Sequence, residues 1–261
     1  MVRTGAQYIA SLKDGRTVYV NGERVADVTE HPAFHGAVRS IAHLYDLAAS
    51  PEHRDVMTFP SPSTGEPVNK SFLVPRTAED LAARRRAHRL WADATFGLMG
   101  RSPDHVPGFI TGFAMRPDLF ARQGQRFADN VVRYHAWLRE TDLYAAYVIA
   151  PPHIDRSKPA HQQEDPQLYA GVVEERGDGI VVSGAQMLGT GGAIANEMFM
   201  SCIVPLVPGD ESYAISIAVP ICISGPFPIP GQYAAVRFHS LLLSTSSGQN
   251  GNVRHWVGLP G

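Results

Sequence analysis

Cysteine is nearly absent from this chain. Cys202 and Cys222 are the only two in 261 residues, too few for a disulfide framework or a four-thiolate zinc site. Long apolar runs are missing as well. Nothing approaches the ~20 residues of a membrane-spanning helix, and Met1 to Asp14 holds no apolar core of signal-peptide length. The expectation is a reduced, cytoplasmic setting with no membrane partner. There is no excess of one charge: 23 basic residues face 25 acidic ones, a formal charge of −2, which leaves no electrostatic footprint for nucleic acid. One deficit is local. Glu211 is the last acidic residue, and from Ser212 to Gly261 the only charged side chains are Arg237 and Arg254. Ordinary surfaces mix both signs throughout, so this end looks foreign to the rest.

Familiar catalytic signatures are missing too. Val182-Ser-Gly-Ala and Thr245-Ser-Ser-Gly248 do not make a Gly-x-Ser-x-Gly elbow. Gly189-Thr-Gly-Gly192 lacks the full Gly-x-Gly-x-x-Gly and leads into a strand. A dinucleotide fold would need a long helix there to receive the pyrophosphate. What remains is a glycine turn that lets a flat ligand approach the backbone. His31 and His35 have a helical ligand spacing, but Pro32 puts them at a helix start and no third ligand completes a set, so they read as a surface pair and no metal is expected. Cys202, inside an apolar strand, reads as a small core residue. Arg84-Arg-Arg86 reads as a solvated helix face.

What is present, 44% hydrophobic and 18% charged residues, suits a globular protein with a sizeable core. Asn21-Gly22 between Arg16–Val20 and Glu23–Val28 predicts a β-hairpin. Phe34, Val38, Ile41, Tyr45 and Ala48 then repeat at helical spacing, and Pro51 ends the run. Pro60 to Pro67 is a loop by composition. Thr77-Ala-Glu-Asp80 reads as a helix N-terminus with Asp in the capping-box position, opening a helix with Leu81, Leu90, Trp91, Ala94 and Leu98 on its apolar face. Ser102-Pro103 reads as N-cap and first residue of a short helix that Pro107 ends or kinks. Pro117 starts another, with Phe127, Val131, Tyr134 and Leu138 on one face. After Asp142 the pattern turns to short β-rich runs: 143–150, 168–175, 180–184, 198–206 and 213–221, with Asp178-Gly179 as a hairpin signal. These patterns predict an α+β protein with a helical domain over residues 1–142, a β-domain over 143–221 and an atypical tail over 222–261.

The segment Gly97-Leu-Met-Gly-Arg-Ser-Pro-Asp-His105 carries the most chemistry. An Arg just before a helix start is a fixed cation beside backbone N–H groups and favours an anion such as a phenolate, a carboxylate or the edge of a reduced flavin. Pairing of Arg101 with Asp104 as a local cap is the alternative, and the sequence leaves both open.

Gly100-Arg-Ser-Pro-Asp-His105 resembles the Gly-Arg-Ser-Pro-Asp-Tyr segment of the 4-hydroxyphenylacetate 3-hydroxylase oxygenase family. Thr4 to Leu12, Tyr19 to Val25, Pro152-His-Ile-Asp-Arg156, Gly179 to Ala185 and Asp210 to Ser216 match in the same order, over about residues 3 to 221. The resemblance implies an acyl-CoA-dehydrogenase-like fold: a helical N-terminal domain, a middle β-domain and a C-terminal helical bundle, the last missing here. It also implies the oxygenase component of a two-component monooxygenase. Diffusible reduced flavin (FADH2, or FMNH2), supplied by a separate reductase, reacts with O2 to a C4a-hydroperoxide that hydroxylates a phenol ortho to its hydroxyl. The phenol is a 4-hydroxyphenylacetate- or tyrosine-like molecule, free or tethered to a carrier protein, and the full-length family forms homo-oligomers. By position, Arg101, His105 and Tyr147 fall on catalytic sites, with the family's usual Tyr and His exchanged between 105 and 147. Such an imidazole, with a pKa near neutrality, would favour the phenolate form of the substrate. His153, Ile154, Asp155, Arg156 and Thr190 fall on flavin-contacting positions, His153 in place of the usual Gln. No match is evident from Cys222 onward, which predicts a shifted or truncated reading frame with a non-native tail. A non-catalytic remnant or binding module is the competing reading.

Overall fold

The computed structural model describes residues 1–151, 154–165, 168–176, 179–202, 205–221, 241–244 and 254–257. The contacts divide the chain into two compact units. The first comprises Met1–Ser11 and Pro32–Ala145, the second Leu12–His31 and Ala146–Gly261.

The first unit is mainly helical: α1 (Gly5–Ser11), α2 (His35–Ala49), α3 (Arg54–Met57), α4 (Ala78–Ala94), α5 (His105–Ala114), α6 (Pro117–Ala121) and α7 (Gln125–Thr141). A small hairpin of β3 (Thr58–Pro60) and β4 (Pro67–Asn69) interrupts them, so the proline-rich loop between residues 60 and 67 is its turn. Helix α2 buries Val38, Ile41, Leu44, Tyr45 and Ala48, the face its periodicity predicts. Helix α4 starts on the predicted capping box. Thr77 Oγ1 accepts from the Asp80 N–H at 3.1 Å, and Asp80 Oδ2 accepts from the Thr77 N–H at 3.0 Å, so two otherwise orphaned donors are satisfied.

Three helical expectations are corrected. Helix α4 ends at Ala94, so Leu98 lies beyond it, 87% exposed, and Leu81 is 58% exposed. The fully buried face is Ala87 and Trp91. Phe96 and Gly97 take left-handed backbone, with φ 53° and 70°. The Gly97 N–H returns to the Ala92 carbonyl at 2.8 Å, a Schellman ending that turns the chain before Leu98. Helix α5 begins at His105, three residues after Ser102, and runs through Pro107 without breaking. Proline sits there in the first turn, where its missing N–H forfeits no intrahelical bond. The expected single helix from Pro117 is two, divided at Gly124 with φ 134°. That break rephases the second piece, which buries Ala128, His135, Leu138 and Arg139 and leaves Phe127 exposed.

Two buried ionisable groups of this unit oppose each other. His135 Nε2 reaches the Phe72 carbonyl and Thr111 Oγ1, each at 3.2 Å, and burial, reinforced by Arg139, pulls its pKa down to about 4. Asp142 caps α7, accepts the Arg3 N–H at 3.1 Å, and is pushed up to about 6 by burial against the pull of Arg3. A depressed histidine supplies stability above its ordinary 6.5 that is lost as pH falls toward 4. A raised carboxyl supplies stability below 3.8 that is lost as pH rises through 6. Each swing is at most about 3 kcal/mol at 1.36 kcal/mol per pH unit, so the two offset. In a urea-denaturation series from pH 6.5 to 4.5, His135→Gln should therefore gain stability on acidification and Asp142→Asn should lose it. Parallel profiles for the two variants would overturn the assignment.

In the second unit, β1 (Val18–Val20) and β2 (Glu23–Val25) pair antiparallel across Asn21 and Gly22, with φ 52° and 86°, the backbone of a type I′ turn. They join β11 (Arg254–Val257) and β10 (Leu241–Ser244) in a four-stranded sheet of order β10-β11-β1-β2. Strands β6 (Gly171–Arg176) and β7 (Gly179–Ser183) form the hairpin expected at residue 179, with Arg176 opposite Gly179; residues 177 and 178 lie outside the described residues. Strands β5 (Ala145–Val148), β8 (Glu197–Ser201) and β9 (Ser216–Pro220) make a sheet of order β5-β8-β9. Apart from β10 and β11, the tail expected over 222–261 lies outside the described residues.

Candidate functional site

Residues 100–105 form the connection between α4 and α5. Met99 packs against the cluster of Leu44, Ala48, Met57, Ala87 and Trp91. Tyr144, buried so that its phenol is pushed well up in pKa, donates to the Arg101 carbonyl at 2.8 Å. Hydrophobic packing at Met99 and one part-buried hydrogen bond therefore hold the backbone around the Arg101 side chain.

Arg101 does not cap with Asp104. Its Nη1 donates to Nε2 of His105, the first residue of α5. The Asp104 carboxylate instead accepts the Ser102 hydroxyl and lies 3.8 Å from His88 Nε2. An arginine can only donate, so Nε2 presents its lone pair and the proton of the neutral ring sits on Nδ1. Burial, then the Arg101 charge, lowers the His105 pKa against the opposite pull of Asp104. The shift is in the direction that favours the neutral ring. Arg101 carries no carboxylate partner among the described residues, leaving a half-buried cation beside a neutral base. Aromatic rings continue from it along α5. His105 and Phe109 meet edge to face at 5.6 Å, Phe109 and Phe113 are tilted at 5.9 Å, and Phe113 meets Phe120 of α6 edge to face at 5.5 Å. Such a row offers quadrupolar contacts to another flat ring.

Tyr147, in the second unit, lies on β5. Its hydroxyl shares a hydrogen bond of 2.7 Å with Ser201 Oγ on β8, and its ring stands 5.9 Å from Phe199. Gln186 Nε2 donates to the Ser201 carbonyl at 3.0 Å, so the serine is held from both sides.

Of the expected flavin positions, His153 lies outside the described residues. Ile154 packs against Ala160, Tyr169 and Tyr213. The Asp155 carboxylate is spent within its own loop, accepting from the Ser157 N–H at 3.0 Å and hydroxyl at 2.6 Å. Gln163 closes that loop through the Asp155 N–H at 3.2 Å and carbonyl at 2.9 Å. Arg156, next along, is exposed, without a carboxylate partner among the described residues. Thr190 is half-buried between Leu188 and Gly191, both left-handed with φ 64° and 82°. The glycine turn passes into a short 3-10 helix, Gly192–Ile194, as a non-Rossmann reading requires. A guanidinium without a carboxylate partner among the described residues, a half-buried threonine hydroxyl and the half-buried Gly191 backbone are donors of the kind that suits the anionic and carbonyl edges of a flavin nucleotide.

Tyr144, Ser201 and Gln186 went unrecognised in the sequence because nothing in their neighbours marks them; each acquires its role from a partner distant in the chain. Among the described residues, no group of three or more His, Cys, Asp or Glu side chains could hold a metal ion, and no helix is long and apolar enough to cross a membrane.

A family model described as 4-hydroxyphenylacetate 3-hydroxylase N terminal matches residues 4–232, beyond the Ile221 at which the sequence resemblance was expected to stop. The chain is 39% identical over 221 residues to the 4-hydroxyphenylacetate 3-monooxygenase oxygenase component of Geobacillus sp. (strain PA-9), covering 84% of this chain and 44% of that protein. It is 40% identical over 226 residues to the protein of the same description from Thermus thermophilus, covering 86% and 46%. Among solved structures, an oxygenase component of 4-hydroxyphenylacetate 3-monooxygenase complexed with FAD and 4-hydroxyphenylacetate superposes with a TM-score of 0.81 at 34% identity. That match covers 98% of this chain and 52% of the other. The fold is thus α+β and acyl-CoA-dehydrogenase-like, and the chain spans about half the length of the relatives it matches.

Proposed function

The chain belongs to the 4-hydroxyphenylacetate 3-hydroxylase N-terminal family, and from that premise we propose that it serves the oxygenase component of a two-component, flavin-dependent monooxygenase that hydroxylates a phenol ortho to its hydroxyl. The observation that carries this reading is the Arg101–His105 pair: a cation with no carboxylate partner among the described residues, donating to a histidine kept neutral by burial. A phenol oxygen that replaces Nε2 as the acceptor from Arg101 has its developing negative charge stabilised there. The freed Nε2 lone pair then receives the phenol proton, and because its pKa is lowered it is unprotonated and available at neutral pH. Tyr147, whose hydroxyl shares a hydrogen bond with Ser201 Oγ, is the third residue proposed to be catalytic. Arg156 and Thr190 are the groups proposed to hold reduced FAD, and His153, Ile154 and Asp155 are further proposed flavin contacts. Bound reduced flavin supplies, with O2, the electrophilic oxygen. The aromatic row on α5 orients the ring and keeps water from it.

The proposed partners are a separate flavin reductase, O2 and a phenol, free or carrier-tethered; the proposed setting is the cytoplasm, in a homo-oligomer. Incubation with a flavin reductase, NADH, FAD and 4-hydroxyphenylacetate, alongside a carrier-tethered tyrosine, should yield a catechol from one of the two. Absence of both catechol and reduced-flavin binding would overturn the proposal. Flavin binding without catechol would select the second reading, a non-catalytic remnant or binding module.

A further inference from the structure

Arg16 has a setting that its place in the sequence does not explain. It lies just ahead of β1, yet only 3% of its side chain is exposed. Its Nε and Nη2 donate to the two Asp14 carboxylate oxygens at 2.9 and 2.7 Å. The remaining Nη1 donates to two backbone carbonyls, Ala193 at 3.0 Å and Ala195 at 2.7 Å. Both belong to the exit of the turn that begins at Gly189. Within that turn the Gly192 N–H bonds the Gly189 carbonyl at 2.8 Å and the Ile194 N–H bonds the Gly191 carbonyl at 2.9 Å. The Thr190 N–H returns to Leu188 at 3.0 Å. Internal bonds and two left-handed residues define its shape, while the guanidinium fixes its far end to the body of the unit.

A buried arginine is costly unless every charge and donor is placed. Here the Asp14 fork neutralises it, and the third nitrogen is left to hold backbone. We infer that Arg16 is a positioning residue for the Thr190 turn, setting the Thr190 hydroxyl and the Gly191 backbone for an anionic, flat ligand, namely reduced flavin. The inference rests on the oxygenase reading for the identity of that ligand. Lysine cannot replace arginine here, because a single ammonium cannot span a bidentate carboxylate and two carbonyls at once.

Arg16→Lys in the full chain tests this through two readouts besides turnover. Hydrogen exchange of the flavin-free protein should rise at least about tenfold in a peptide spanning residues 189–196 and stay unchanged in the rest of the second unit. The dissociation constant for reduced FAD, measured anaerobically by fluorescence, should rise about tenfold, as small misplacements of positioned groups do, with KM for the phenol unchanged. Should Arg16→Lys fail to fold, Asp14→Asn keeps the guanidinium on both carbonyls but frees its other edge, and the same two changes should appear at about threefold. Unchanged exchange at 189–196, exchange raised uniformly through the unit, or unchanged flavin affinity would each overturn the inference. If the unsubstituted protein itself binds no flavin, the oxygenase reading fails and takes the ligand assignment with it. The exchange result then still decides whether Arg16 holds the turn.

Discussion

Alanine in place of Arg101 is expected to lower catechol formation at least about 100-fold while leaving the fold and the affinity for reduced flavin within about twofold. The magnitude is that of deleting one preorganised donor aimed at developing negative charge. The selectivity follows from position. Arg101 Nη1 contacts His105, and its backbone is held independently by Tyr144 at 2.8 Å, so the side chain can go while the connection stays. Arg101→Lys keeps the charge but loses the planar fork and should fall between, at about tenfold. A second readout separates this from mere loosening. The Arg101 charge is one cause of the lowered His105 pKa, after burial, so its removal should raise that pKa toward the ordinary 6.5. An NMR titration of the His105 ring then shows an upward shift in Arg101→Ala and none in Arg101→Lys. The pH–rate profile moves with it: His105 protonates at higher pH and the acid limb of the residual activity shifts alkaline. An unshifted His105 titration together with undiminished catechol formation would remove Arg101 from the site.

How far the sequence discloses this arrangement varies with the range of the interaction involved. Local signals are faithful. Asn21-Gly22 makes its hairpin, Thr77 and Asp80 make their capping box, and the spacing of Val38, Ile41 and Tyr45 marks the inward face of α2. Errors begin where a backbone conformation overrides periodicity. Leu81 and Leu98 have helical spacing with Trp91, but the left-handed Phe96 ends the helix, and a phenylalanine is not a residue from which positive φ is anticipated. Gly124 does the same to the run from Pro117. At the site, the sequence places Arg101 and His105 four residues apart, and the turn leading into α5 brings them into contact. It cannot choose between His105 and Asp104 as the arginine's partner, because both are sterically reachable. The choice falls to the surroundings: the Ser102 hydroxyl already engages Asp104. Arg16 is further out of reach, since its acceptors at Ala193 and Ala195 are backbone carbonyls that leave no side-chain signature.

Trp91→Ala is expected to destabilise the first unit by about 3–5 kcal/mol, the range for emptying a buried aromatic site. The indole is among the largest fully buried side chains and is enclosed by Leu44, Ala48, Met57 and Ala87. It is also tied down, for its Nε1–H donates to the Leu44 carbonyl at 2.9 Å. Two contributions therefore separate experimentally. Trp91→Phe keeps most of the apolar volume and loses the donor, at about 1 kcal/mol for a hydrogen bond whose acceptor is left less well satisfied. Alanine loses both and leaves a cavity that the surrounding helices close only partly, because both ends of α4 are anchored, by the Thr77–Asp80 capping box and the Schellman ending at Gly97. Against a total of about 5–15 kcal/mol for a typical domain, the larger loss brings the unit near its unfolding threshold at 37 °C. The effect reaches the site as well. Met99 packs on this same cluster, two residues before Arg101, so hydrogen exchange over residues 99–105 should rise in Trp91→Ala well before global unfolding in urea. In Trp91→Phe it should not. A loss below about 1 kcal/mol for the alanine variant, with unchanged exchange over 99–105, would mean that the cluster closes over the gap and that Arg101 is held by Tyr144 alone.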